Sequence, residues 1–285
     1  MRPETFGLSI RAVLLALQLV AALWVYQDAR GHTRAAWWWG LAVAAGGPVA
    51  FPLYVLLARP PARFWGFPEV LAVACFGLLV VPVVATLVVG PLVGFGAVAA
   101  VVTAQSAALL SGCGQVLRRH GQTWSGLGLF RHGALRWAAV GGLAAVPLVG
   151  VVHYAVQPAA VYLLGLLVGH ERARLLAELE QWANPLVQAL PALADWPAVA
   201  LLAVLVGGVV PLAEEAFFRG LVYRAARQHL SPLPAGLAVA AAFAAVHLQV
   251  VNFLPILVLG WAFAVAVERT GSLVPAGGMN AAQNL

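Results

Sequence analysis

The chain contains no lysine: all sixteen of its basic side chains are arginine. That absence carries no functional weight, but the general shortage of charge does. Only 9% of the 285 residues are charged, 62% are hydrophobic, and the mean hydropathy is +0.91. A soluble domain carries about 25% charged residues, so an ordinary cytosolic fold is excluded. Cysteine is scarce too. Cys75 and Cys113 lie in apolar stretches and neither has a CxxC partner, which makes them small core residues rather than disulfide or metal ligands. No basic run is interleaved with aromatics, as a single-strand groove requires. The net charge of +6 therefore reads as loops that orient a membrane protein, and no nucleic-acid partner is expected. There is no internal repeat, low-complexity tract or appended soluble domain.

What the chain has instead is long apolar runs. A spanning helix needs about 20 mostly apolar residues, and such runs lie near 6–27, 35–57, 69–89, 91–117, 135–157, 197–222, 233–250 and 252–268, with a ninth, shorter one at 274–285. The expected fold is all-α: a polytopic transmembrane helix bundle of about eight spans, with N-terminal helices over 1–117 and a core over 118–285. The first run is too long for a signal-peptide core and lacks a small-x-small cleavage site, so a retained first span is expected. With loops alternating sides, Arg2, Arg59, Arg63, Arg118, Arg119, Arg131, Arg136, Arg224, Arg227 and Arg269 fall on one side, and Arg30, Arg34, Arg172 and Arg174 on the other. The excess of arginine then puts the N-terminus in the cytoplasm. The expected location is integral to a membrane, the inner membrane of a bacterium.

The segment 170–196 differs. Glu171, Arg172, Arg174, Glu178 and Glu180 alternate with Leu175, Leu176 and Leu179, the pattern of an amphipathic interfacial helix or of a plain solvated connector. Arg174 and Glu178 are spaced to share a helical face. Trp37, Trp38 and Trp39 suit an interfacial anchor, and Arg11 a cytoplasmic snorkel. Gln105 and Ser106 read as hydrogen-bonding glue between helices, with the lining of a cavity as the alternative, and His153 reads as glue. His120, Arg131 and His132 read as solvated loop residues.

The chemistry concentrates in the last third. Glu214 and Glu215 sit in an apolar run, and a carboxylate at bilayer depth costs roughly 2.5–3.5 kcal/mol on insertion scales. Glu215 and Arg219 are one helical turn apart and are expected to pair. Glu214 lies about 100° round the helix, on the face of Phe218, and is left for chemistry as a general base. Phe243 and His247 share a face on the next span. Asn280 and Asn284 share one after Gly271-Ser272-Leu273-Val274-Pro275. Asparagines so placed serve either as glue between helices or as donors to an oxyanion.

These motifs resemble the CAAX-protease and bacteriocin-processing (CPBP, or ABI) family of intramembrane proteases, which includes the type II CAAX prenyl endopeptidases. Its EExxxR motif is matched by Glu214, Glu215 and Arg219, its FxxxH by Phe243 and His247, and its HxxxN by Asn280 and Asn284, with asparagine where the family has histidine. The Gly271–Pro275 lead-in and the Trp124–Leu129 segment extend the resemblance to roughly 120–285. Relatives continue the last helix beyond the motif, so a short or truncated terminal helix is expected. The resemblance implies an endopeptidase acting on a membrane-associated peptide or protein. Glu214, Glu215, Arg219, His247, Asn280 and Asn284 would be the site residues, and the lipid bilayer the surroundings. It also implies one of two mechanisms. In one, a divalent metal such as zinc is bound, here by Glu214 and His247. In the other, preferred since asparagine is a poor zinc ligand, no cofactor is required. Glu214 and His247 then activate water while Asn280 and Asn284 form the oxyanion hole. The alternatives are an inactive scaffold or bacteriocin-immunity protein, and a proton-coupled transporter.

Overall fold

The computed structural model describes residues 3–90, 95–129, 133–182 and 196–284. Arg2, Pro91, Arg131, His132, Leu285 and residues 183–195 of the expected interfacial segment lie outside them. Among the described residues all regular structure is helical. The helices are α1 (Pro3–Arg30), α2 (Ala36–Ala58), α3 (Phe67–Val89), α4 (Phe95–Arg119), α5 (Ala134–Val168), α6 (His170–Trp182), α7 (Trp196–Ala226), α8 (Pro232–Val246), α9 (Phe253–Thr270) and α10 (Val274–Asn284). Seven of them, α1 to α5, α7 and α9, are long and apolar enough to cross a membrane. The outer surface is correspondingly apolar. Leu87, Val88, Leu143 and Leu167 each expose more than 70% of their area, a surface that only lipid covers without penalty. The chain is an integral membrane protein.

Two of the expected spans are not crossings. In α2 the backbone breaks at Gly47, where φ is 42° and ψ is −115°, a conformation that glycine adopts without a Cβ clash. The helix then returns. The Trp39 and Tyr54 rings lie 5.4 Å apart, whereas a straight helix separates positions fifteen residues apart by about 22 Å. Arg59, after α2, pairs with Asp28 at the end of α1 at 3.0 Å. Helix α8, with 15 residues, covers about 22 Å and stops short of the ~30 Å hydrocarbon core.

The return of α2 changes the expected side assignment. Arg30 and Arg34 lie at the same end of the bundle as Arg59, not opposite to it. Arg59 also pairs with Glu69 at 2.9 Å, and Arg119 donates to the carbonyls of Val55 and Arg59. The Trp65 indole donates to the Leu221 carbonyl at 3.2 Å and Gln228 to the Trp65 carbonyl at 2.8 Å. Arg224 reaches the Gly126 carbonyl, and Ser272 the Gly128 carbonyl. One arginine-rich end thus gathers the turns after α1, α2, α4, α7 and α9. Helix α1 runs back from that end over 28 residues.

Helix α10 is held against α5 by glycine. A Cβ on Gly278 would collide with the Ala138 carbonyl, and one on Gly141 with the Pro275 carbonyl, while Gly277 faces open space. Small residues permit this backbone contact, which drives association where both helices are already in lipid. Of the three adjacent tryptophans, Trp37 and Trp38 stack at 3.9 Å and stay exposed, while Trp39 packs against the core. Cys75 and Cys113 are free.

Two outcomes follow from this packing. In a variant with Cys75 and Cys113 replaced by alanine, Arg34→Cys and Ala62→Cys should react with an impermeant thiol reagent from the same side of the membrane; opposite sides would mean a straight α2. Gly278→Leu should lower stability by about 1–3 kcal/mol through overpacking, and Gly277→Leu much less, as read by denaturant titration in detergent.

Candidate active site

The site is built on α7, α8 and α10. The Arg219 Nη1 donates to Glu215 Oε1 at 2.9 Å, and both side chains are fully buried. The Nη2 of Arg219 donates to the Gly260 carbonyl at 2.9 Å. The guanidinium lies 4.6 Å from the Phe243 ring centroid and 5.1 Å from that of Phe263. Aromatic faces attract a desolvated cation by about 2 kcal/mol, so the arginine is neutralised by one carboxylate and boxed by rings from α8 and α9. Glu215 Oε2 and Arg219 Nε are buried without a hydrogen-bond partner.

Glu214 points elsewhere. It lines a cavity of about 1010 Å³ that Glu215 and Arg219 do not reach. His247, Asn280 and Asn284 line the same cavity. His247 caps the C-terminus of α8, and its Nδ1 lies 2.7 Å from the Phe243 carbonyl. That contact makes Nδ1 the protonated nitrogen and leaves Nε2 as an acceptor. Phe243 packs edge-on to both Phe218 and His247, so one aromatic column runs from the arginine box to the imidazole. Glu214 lies twelve residues below the end of α7, or about 18 Å beneath the arginine-rich end, well inside the bilayer.

Both asparagines join α10 to α7, the first of the two duties the sequence left open. Asn280 is buried, and its amide nitrogen donates to Glu214 Oε2 at 3.0 Å and to Glu215 Oε1 at 3.1 Å. An amide has two N–H bonds, and both are used here. The Asn284 amide donates to the Val206 carbonyl at 3.2 Å, tying α10 to α7. In this state both N–H bonds of the Asn280 amide are occupied.

Several cavity residues were read otherwise from the sequence. Gln105, Ser106 and His153, expected as glue between helices, line the cavity, with Gln157 and Gln283 beside them. Helix α6 forms part of the wall through Ala177, Glu178, Glu180 and Gln181, so the expected interfacial helix has a buried task as well. Among the described residues Arg174 and Glu178 form no ion pair. It is Glu180 that holds α6 to the bundle.

Residues 196–285 match the family model described as Type II CAAX prenyl endopeptidase Rce1-like. This segment is similar to that family. The match bears out the resemblance carried by the three motifs, and it begins at α7 rather than near residue 120. At a coarse level the resemblance is to a protease of the CAAX type, whose substrate is a protein at a membrane. No curated protein and no solved structure matches the chain.

A zinc centre of three protein ligands does not fit these residues. Among the described residues no three His, Cys, Asp or Glu side chains are grouped to hold a metal ion, and Asn280 stands where the family motif has histidine. No step is therefore routed through a metal.

The buried pair sets its own test. Arg219→Met should destabilise the protein by about 3–5 kcal/mol, because it strands a buried carboxylate. Adding Glu215→Gln should recover part of that loss in a thermal unfolding series. Equal stability of wild type and Arg219→Met would remove the pair from the account.

Proposed function

We propose that the chain is an intramembrane endopeptidase that hydrolyses a peptide bond of a membrane-associated protein or peptide. The observation that carries this reading is the shared cavity: Glu214, His247 and Asn280 arrive from three separate helices on its lining. Glu214 is the general base. One of its oxygens is held by Asn280, and the other takes the proton of an attacking water. The acceptor Nε2 of His247 orients that water and shares its proton. Protonated Glu214 or His247 then delivers a proton to the leaving amine, so the proton taken from water ends on the new N-terminus. Glu215 and Arg219 fix the helix that presents Glu214.

Asn280 is here first a clamp on the two carboxylates. It serves an oxyanion only by releasing Glu214 as that group takes up the water proton and ceases to need a donor. The same double bond favours a second reading, an inactive scaffold in which the clamp never opens. The protease core takes in α4, since Gln105 and Ser106 contribute to the cavity wall, and so starts before the residue-118 boundary. The arginine-rich end faces the cytoplasm by the positive-inside rule. That puts the N-terminus on the far side, in the inner membrane of a bacterial cell.

Purified protein in liposomes, incubated with a membrane-peptide library and read by mass spectrometry, tests the proposal. Glu214→Ala and His247→Ala should each lower kcat by about 10²–10⁴-fold, and a chelator should leave the rate unchanged. Cleavage undiminished by Glu214→Ala would remove the general base. A wild-type protein without cleavage would leave the scaffold reading.

A further inference from the structure

Helix α6 carries a carboxylate that the mechanism above does not use. Glu180 lines the cavity, and its oxygens accept from three consecutive backbone amides. Val250 N donates at 2.6 Å, Val251 N at 3.0 and 3.2 Å, and Asn252 N at 3.2 Å. The Asn252 side-chain amide donates to the same group at 3.3 Å. These amides belong to the turn that leaves α8 immediately after His247.

That turn needs external support. It opens at Leu248, whose φ of 55° is the one positive value at a non-glycine residue among those described, a sparsely populated conformation that persists only when its surroundings hold it. It closes at Asn252, the N-cap of α9, whose own side chain makes no capping bond. The first amides of a helix have no intrahelical acceptor and carry partial positive charge, which a carboxylate complements. Glu180 therefore holds from α6 the two residues that lead into α9 and the amide of its N-cap residue, Asn252. Hydrogen bonds to an ionised acceptor are about twice as strong as neutral ones, and several converge on this one side chain.

We propose that Glu180 is a positioning residue for His247. By fixing residues 250–252 it fixes the turn whose first member carries the imidazole, and so the direction in which Nε2 enters the cavity. Only two residues, Leu248 and Gln249, separate His247 from Val250. The Nδ1 contact with the Phe243 carbonyl holds the ring from the α8 side, and the Glu180 clamp holds it from the α9 side. Loss of the carboxylate releases three amides at once, and the turn relaxes around the strained Leu248. The role ascribed to His247 in this chain of events rests on the peptidase reading of the cavity.

The test uses full-length protein in nanodiscs, with Glu180→Ala and Glu180→Gln, and has two independent arms. The first needs no activity. Hydrogen exchange of the peptide spanning 248–256 should rise in Glu180→Ala, less in Glu180→Gln, which keeps one acceptor oxygen. Exchange at the imidazole C2 hydrogen of His247 should change with it while that of His229 stays constant. Unchanged exchange at both places overturns the proposal. The second arm is kinetic. Glu180→Ala should lower kcat about 10-fold with little change in KM, the loss expected when a buried acceptor is removed. In a His247→Ala background it should cost less than about 2-fold, since a residue acting through another is not additive with it. An equal cost in both backgrounds means a merely structural role and overturns the proposal. A wild-type protein that cleaves nothing defeats the peptidase reading, and the exchange arm then decides the positioning of His247 by itself.

Discussion

The bundle depends on one buried ion pair. Glu215 and Arg219 lie on one turn of α7 with no access to water, and at that depth neither charge is tolerable alone. Each additional partner they recruit comes from a different helix. The Gly260 carbonyl on α9 accepts from Arg219. It is reachable because Gly260 packs its backbone against Ala240 of α8. Phe243 of α8 and Phe263 of α9 sandwich the guanidinium. Asn280 of α10 donates to Glu215. The electrostatic demand of two side chains thus fixes the relative positions of four helices, and the cavity lies where their ends meet.

Adjacent carboxylates could not share a role in such a place. A step of one residue turns the helix by about 100°, so one side chain enters the packed interior and its neighbour enters the cavity. Glu215 is neutralised by arginine, and Glu214 has only an amide donor. Asn280 couples the two, since its two N–H bonds span both carboxylates. Asparagine suits that position for a reason the histidine of the family motif lacks. It offers two donors on one nitrogen, where an imidazole offers one per nitrogen and on widely divergent directions. In this chain the amide joins α7 to α10 through both carboxylates.

Much of this was legible in the sequence. Spacing by four gave the Glu215–Arg219 pair, the helical angle gave the divergence of Glu214, and FxxxH put Phe243 beneath His247 on one face. Composition gave the all-helical membrane bundle. The failures have a common cause: hydropathy measures how apolar a run is, not which way it travels. The reversal at Gly47 sits inside an unbroken apolar run, so α2 read as a crossing and Arg30 and Arg34 were placed opposite Arg59. The Gly47-Pro48 pair was the available signal. Gln105 and His153 were read as glue because period and polarity cannot say whether a polar side chain meets a neighbour or a cavity. The clamp of Glu180 on residues 250–252 joins segments seventy residues apart, and nothing local to either announces it.

The interruptions of the helices obey a single rule. Backbone polar groups within a bilayer must find partners inside the protein, so a helix can stop there only where a side chain takes over. At Gly47 the break leaves the Ala44 carbonyl without its usual donor, since Pro48 has no N–H. Gln18 of α1 donates to that carbonyl at 2.6 Å and packs beneath Gly47. At the end of α8 the orphaned amides are those of 250–252, and Glu180 of α6 accepts from them. In the first case the rescuing group is neutral, and the break is sealed within the N-terminal helices. In the second it is a carboxylate on the wall of the cavity, beside the imidazole. The same constraint that closes one interruption within the helices leaves the other on the cavity that Glu214 and His247 line.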